Sequence, residues 1–347
     1  ISSRCANFAF KCGVRLASWQ LSLYCPSFYP PLNGFMATVK QVKKIRRPID
    51  GIILLDKPLG MTSNHALQHV KRLYNAEKAG HTGSLDPLAT GLLPICFGEA
   101  TKYSQHLLDA DKVYRTKMRL GQKTTTADAE GEVMLERPVP ALTLDEIEVV
   151  LAQFRGTLQQ IPSMYSALKK DGKPLYELAR QGIEVEREAR TIQIYRLQLL
   201  AVEPFFWELE VACSKGTYIR NLVEDIGEAL GCGAHVSELR RLASGPFQLQ
   251  DNLTLDYLRA VAEQGFDALD ALLLPPWAAM ADKPKITLTE NSTYYLMHGQ
   301  PVRANGLPST GEVLIFDPEQ RFLGLGAMNE DGLLAPKRLL KTKTNTD

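Results

Sequence analysis

The stretch Lys112–Leu120 limits the fold more than any other in the chain. Tyr114, Thr116, Met118 and Leu120 fall on one side of an extended backbone, and Arg115, Lys117 and Arg119 on the other. Successive Cβ atoms of a strand point to opposite faces, so period two predicts a strand with a buried face and a basic, exposed one. Trp207, Leu209, Val211 and Cys213 alternate in the same way with Glu208 and Glu210. Gly51–Asp56 is a short apolar run that reads as a buried strand, broken by Lys57-Pro58-x-Gly60.

Helices are marked by their ends. Thr62 or Ser63 can cap a helix running to about Tyr74, with Leu67, Val70 and Leu73 on one face. A short helix is expected over Ala100–Leu108. Thr143-Leu-Asp-Glu146 has the spacing of a capping box, ahead of Ile147, Val150, Leu151 and Phe154, and Gly156 ends that helix. Tyr218–Leu230 is helical by its apolar spacing and is stopped by Gly231. Thr254 caps a further helix to about Gln264. Strands and helices interleave without strict β-α-β alternation, which predicts an α+β fold over a doubly wound one.

Around Leu272–Lys285, Pro275-Pro276 and Asp282-Lys-Pro284 read as a linker. Beyond it, Val313–Phe316 and Phe322–Ala327 are strand signals of a small β-rich module. The expected division is a catalytic domain over 36–280 and that module over 281–347. The first 35 residues contain Arg4, Lys11 and Arg15 and no acid, and the first methionine is Met36. Three readings stay open for them: upstream sequence preceding a start at Met36, a transit-like presequence, or a disordered tail.

Composition narrows the partners. A formal net charge of +1 announces no nucleic-acid partner, so any basic footprint must be local. Arg115, Lys117 and Arg119, with Lys102, Lys337, Arg338, Lys341 and Lys343, are candidates for it, as is the run Lys40, Lys43, Lys44, Arg46 and Arg47. Six cysteines include no C-x-x-C pair, and Cys96, Cys213 and Cys232 read as reduced thiols of a cytoplasmic protein. No apolar run reaches the roughly 18–20 residues that a membrane-spanning helix needs.

Chemistry concentrates in Ala79–Pro94, which holds three glycines, two prolines and Asp86. Such a loop is shaped by its backbone. Asp86 precedes Pro87, and proline keeps its predecessor out of the helical region. On the fragment alone, Asp-Pro is a turn.

The longer string Gly80-His-Thr-Gly-Ser-Leu-Asp86-Pro-Leu-Ala-Thr-Gly91 resembles the catalytic motif of the TruB family, the bacterial-type tRNA pseudouridine-55 synthases. Leu55-Asp-Lys57-Pro58, Lys112-x-Tyr114, Ile161–Lys169, Cys213–Arg220 and Gly231–Val236 with Leu239-Arg240-Arg241 continue the likeness in the same order. It implies a pseudouridine synthase fold: a central mixed, mainly antiparallel sheet flanked by helices, followed by a PUA-like RNA-binding module. It also implies an isomerase that needs no cofactor and no metal, is monomeric, and acts on a flipped-out uridine of the tRNA T-loop. Asp86 matches the nucleophile, Arg220 the arginine paired with it, and Tyr114 the residue that stacks on the base and can move the C5 proton. Tyr218 matches a residue lining the uracil pocket, Leu239 an apolar contact under the base, and His81 an RNA contact. Lys57, inside a matching block, and Lys102 join them as substrate- or RNA-binding candidates. A carboxylate suits the role, being ionised at neutral pH with a reference pKa of roughly 3.9. One departure stands out: Thr124–Gly131 resembles a T-D-T-x-D-x-x-G loop, with Thr125 where aspartate is usual.

Three rivals are weaker, one of them a hydrolase with an aspartate nucleophile, which would need a water-activating base and usually a doubly wound sheet, neither of which is apparent. His65 and His69 have the i, i+4 spacing of zinc ligands, without the glutamate of H-E-x-x-H or a third ligand. A non-catalytic RNA-binding protein of the same fold would have no need to keep Asp86, Tyr114 and Arg220.

Overall fold

In the computed structural model, residues 45–341 are described, except 167 and 171. Lys40, Lys43, Lys44 and Lys343 lie outside the described residues, as do the first 35.

The alternating segment Lys112–Leu120 is a strand near the middle of a ten-stranded sheet. We number the strands of that sheet in chain order: β1 Gly51–Lys57, β2 Ala79–His81, β3 Ala89–Phe97, β4 Lys112–Leu120, β5 Gly156–Gln160, β6 Arg190–Glu203, β7 Phe206–Cys213, β8 Ala234–Ser244, β9 Phe247–Gln248 and β10 Leu253–Thr254. Their order is β10-β1-β3-β8-β4-β7-β6-β5, with β2 on β3 and β9 on β8. β1 with β10 and β3 with β8 are parallel, and the other pairs are antiparallel. The sheet is thus mixed and mainly antiparallel, as expected.

One face is covered by helices α1 Ser63–Leu73, α2 Leu144–Ala152, α3 Ile219–Ala229 and α4 Leu255–Ala262. The cap signals act as read. Thr62 accepts from the His65 amide, Thr143 and Glu146 close the capping box, and Thr254 accepts from the Tyr257 amide. Leu67 and Val70 of α1, Ile147 and Leu151 of α2, and Leu222, Val223 and Ile226 of α3 join Met118, Trp207, Leu209 and Val211 in one core.

The basic face of β4 does not stay basic. β4 pairs with β7 so that Arg115 lies opposite Glu210 and Lys117 opposite Glu208. Arg115 reaches both Glu208 and Glu210 at 3.7 Å, and Lys117 reaches Glu203 at 3.2 Å. Arg119 stacks over Phe205 and Phe206. Carboxylates and rings on the neighbouring hairpin therefore occupy the cations expected to meet phosphates.

The strand after the Asp86 loop, Ala89–Phe97, runs through Gly91 and Pro94 despite their turn-forming character. Pro94 offers the ladder a carbonyl, and Thr82 takes it at 3.1 Å. At Gly91, φ +99, a Cβ would lie 2.3 Å from the Arg241 carbonyl, so only glycine fits.

The segment expected to be a linker is part of the fold. Leu274 exchanges two backbone hydrogen bonds of 2.8 Å with Ile52, and a 3₁₀ turn over Pro276–Met280 buries Ala279 and Met280. The C-terminal module has strands β11 Lys285–Thr287, β12 Glu312–Phe316, β13 Phe322–Met328 and β14 Leu334–Leu339 in sequential order, and a helix α5 over Glu290–Met297 that the strand signals did not announce. Leu314, Phe316 and Leu325 share one core with Ile52, Leu54, Leu92, Tyr103 and Leu107 of the part that holds the ten-stranded sheet. Residues 45–341 consequently form a single compact unit.

Candidate active site

Asp86 sits at the tip of the loop between β2 and β3, and the chain ties that loop down from three sides. Ser63, the first residue of α1, accepts from the Leu85 amide at 2.7 Å and donates to the Leu85 carbonyl at 3.0 Å. From the end of β1, the Gly60 amide donates to the Pro87 carbonyl at 2.8 Å. From β8, Arg241 Nη2 donates to the Gly83 carbonyl at 3.1 Å. Gly83 has φ +86, where a side-chain-bearing residue is strained. A buried loop backbone costs free energy unless its polar groups are paired, and these bonds supply the pairs.

Arg220, the second residue of α3, meets Asp86 with Nη2 3.1 Å from Oδ2. The start of α3 is fixed through Tyr218. Its amide donates to Gln160 Oε1 at 2.8 Å, and its carbonyl accepts from Gln160 Nε2 at 3.0 Å. Arg220 is buried, 7% exposed at the side chain, whereas Asp86 is 42% exposed and open to solvent. The guanidinium is shared. Nη1 donates to Asp128 Oδ2 and to the Thr126 carbonyl, both at 3.1 Å, and Nη2 donates to the Tyr165 carbonyl at 2.8 Å.

Asp128, 3% exposed at the side chain, is the inner end of this chain of charges. Its Oδ1 accepts from the Thr126 hydroxyl and the Glu130 amide. Sequence reasoning placed Asp128 only in a loop motif; its lone polar signal said nothing of a residue 92 positions away. In the same loop Thr125 accepts from the Glu132 amide at 3.1 Å, so its hydroxyl does a bonding task that a carboxylate can also do. Ala127 lies in the left-handed region at φ 58, a small strain beside Asp128.

Electrostatics sharpen the site. Burial raises the Asp86 carboxyl, Arg220 pulls it back most strongly, Asp128 raises it further and Lys57 lowers it. Arg220 thus works against desolvation to keep Asp86 ionised. The phenols of Tyr114 and Tyr218 are both raised, first by burial, and both feel the Asp86 charge. Tyr114 stands on β4 directly opposite Arg241 of β8. Leu239, two residues before Arg241, is buried in the core face of the same strand. His81 ends β2 immediately before the loop. Its Nδ1 is buried with no hydrogen-bond partner among the described residues, and burial and Arg241 together lower its pKa.

Asp86, Arg220, Tyr114, Tyr218, Leu239 and His81 therefore gather around one loop, and two expected contacts do not. Lys57 is fully buried, and its Nζ donates to the carbonyls of Met61, Pro58 and Pro87 at 2.6, 2.9 and 3.5 Å. It props the Asp86 loop from beneath and has no surface for RNA; burial pushes its ammonium down to about 8. Lys102 is held by Glu99 at 2.5 Å and by the Leu339 carbonyl at 3.0 Å, so it clips the C-terminal strand in place. His65 and His69 touch each other, Nε2 to Nε2 at 3.2 Å, and among the described residues no cluster of three or more His, Cys, Asp or Glu is gathered for a metal.

The acid, its buried arginine and the two phenols stand on a mixed sheet flanked by helices, and that fold is shared with the pseudouridine synthases. Residues 71–219 match the TruB family pseudouridylate synthase N-terminal domain. Residues 220–280 match the tRNA pseudouridylate synthase B C-terminal domain, and 284–340 the C-terminal domain of pseudouridine synthase II TruB. The chain is 60% identical over 304 residues to the tRNA pseudouridine synthase B of Stutzerimonas stutzeri strain A1501, covering 87% of this chain and 99% of that one. Against the enzyme of the same name from Pseudomonas aeruginosa strain UCBPP-PA14 the identity is 58% over 303 residues, with the same coverage. Among solved structures, a Cbf5-Nop10-Gar1 complex superposes with TM-score 0.63 at 29% identity, over 84% of each chain. An H/ACA RNP bound to a substrate RNA containing 2'-deoxyuridine superposes with TM-score 0.63 at 27% identity, over 85% of this chain and 86% of that one. The chain belongs to the TruB family of tRNA pseudouridine synthases and is an isomerase of that kind.

Proposed function

We propose that this protein converts the uridine at position 55, in the T-loop of tRNA, to pseudouridine, with Asp86 as nucleophile. The observation that carries the reading is the Arg220 clamp: a buried guanidinium 3.1 Å from a carboxylate that still faces solvent. A carboxylate held ionised in this way can form and release a covalent bond to the nucleoside without a metal. The N1–C1′ bond breaks with its electron pair on N1, the uracil turns, and C5 forms the new bond to C1′. Substrate atoms are conserved, so no cofactor is required.

The target base lies within a folded loop and must be extruded, at a cost of roughly a few kcal/mol. Tyr114 offers a ring for stacking, Tyr218 and Leu239 line the pocket, and His81 meets the RNA beside it. Recognition of the T-arm rests on its shape and phosphates more than on base edges. With β4's cations occupied by carboxylates and rings, Lys102 by Glu99, Lys337 by Glu312 at 3.8 Å and Arg338 by the Lys102 carbonyl at 2.7 Å, the exposed Lys341 remains the better phosphate candidate. The enzyme acts as a monomer.

The test uses an unmodified tRNA transcript and maps the modified position. The intact chain is expected to modify one T-loop uridine, and Asp86→Ala to lose turnover while still binding the transcript. Turnover retained in Asp86→Ala removes the nucleophile assignment, and modification elsewhere in the tRNA removes the position.

A further inference from the structure

Arg241 is used by nothing in that reaction, yet among the described residues it is the largest fully buried side chain, 1% exposed. Among the described residues no carboxylate lies within ion-pair distance of it. Its Nε donates to the Leu92 carbonyl at 2.7 Å and its Nη2 to the Gly83 carbonyl at 3.1 Å. Burying a cation with no carboxylate beside it is costly, so a charge retained there invites a use for it.

Its surroundings suggest one. Arg241 lies across the β8–β4 ladder from Tyr114, side by side on the face that carries the active site. Its carbonyl bond to Gly83 joins it to the loop that bears Asp86. Space for the guanidinium is made by glycine: a Cβ on Gly83 would sit 3.3 Å from Arg241 Nη1. Arg241 therefore touches the loop on one side and faces the Tyr114 phenol on the other.

We propose that Arg241 is a positioning residue for Tyr114, orienting its phenol and supplying the positive charge against which it removes the C5 proton. The inference rests on Tyr114 being that base. After C5 has bonded to C1′, the C5–H proton passes to the Tyr114 phenol oxygen as that oxygen gives up its own proton to water. The C–H electron pair becomes the C5=C6 bond, the C6=N1 π pair moves to N1, and N1 takes the proton that the water carries, leaving the phenol as it began. Burial opposes the phenolate, Arg241 is the cation that offsets it, and Cys213 of β7 and Asp86 of the loop oppose it further.

The experiment is single-turnover kinetics on tRNA transcripts made with uridine or [5-²H]uridine, with melting curves for every variant. Arg241→Gln is expected to slow product formation roughly 10–100-fold, part of what a positioned base contributes. It should also enlarge the primary deuterium effect, because C5–H cleavage becomes limiting. Arg241→Lys should recover part of the rate. Unchanged isotope effects in both variants, with only melting lowered, overturn the inference and leave Arg241 as a strand fastener. If neither variant folds at the assay temperature, canavanine at position 241 keeps the shape, weakens the base, and the same isotope measurement decides. Tyr114→Phe separates the two levels. If it turns over normally, the base assignment fails and this inference with it; if it stalls while Arg241 variants show no isotope change, the inference alone fails.

Discussion

Two sets of arginine–carboxylate pairs in this protein use the same chemistry to different ends. On the outer face of the sheet, Arg115, Arg196 and Glu210 pair across β4, β6 and β7 in contact with water. Under α3, Arg220 joins Asp86 to Asp128 with its guanidinium almost wholly out of water. Screened pairs contribute ~0–1 kcal/mol each. A buried pair gains little over an apolar replacement, yet removing one partner strands the other charge. Charge pairs are therefore replaceable outside, whereas the buried Arg220–Asp128 pair is not, and that pair lies beside the candidate nucleophile Asp86.

The comparison is tested most severely at its inner end. Asp128→Ala should lower stability by about 3 kcal/mol, the low end of the range for a broken buried pair because Arg220 keeps Asp86. It should also slow pseudouridine formation, since Arg220 loses the anchor that aims it. Denaturant melts and single-turnover assays measure both, and a neutral Asp128→Ala would erase the distinction between the regions. Ser63→Ala leaves the Leu85 amide and carbonyl without their partner, at a cost of about 2 kcal/mol. Its activity loss should exceed what the melt alone explains, because the Asp86 loop loosens.

A subtler effect concerns pH. Burial raises the Asp86 carboxyl above its ordinary 3.8, so the fold holds that proton more tightly than the unfolded chain. Stability tied to Asp86 is then present in acid and lost as pH rises through that interval. Asp86→Asn should melt slightly higher than the parent at neutral pH, and the gap should close in acid. The activity of the parent should fall on its acid side at a pH above the ordinary carboxylate value. A lower melt for Asp86→Asn at neutral pH would mean that Arg220 outweighs burial. The smallest effect belongs to the outer face, where Arg196→Ala should change stability by less than ~1 kcal/mol and leave turnover untouched. A larger loss there would show that the outer pairs are no more replaceable than the inner ones.

What the sequence by itself determined is what depends on near neighbours along the chain. The alternation of Lys112–Leu120, the Thr62, Thr143 and Thr254 caps and the glycine-shaped Asp86 loop each rest on residues within a few positions. The site residues Asp86, Tyr114 and Arg220 were legible only through resemblance, since no local signal links them. Tertiary structure decided the rest. Register between β4 and β7 turned an expected phosphate-binding face into ion pairs, because the opposing acids belong to a strand about 90 residues on. Burial turned Lys57 from a contact into a prop, and docking of β14 turned Lys102 into a clip. A shared core made the proline-rich segment structural. A side chain's type tells what it can bind, but the free energy of using it is set by which distant groups exclude water from it.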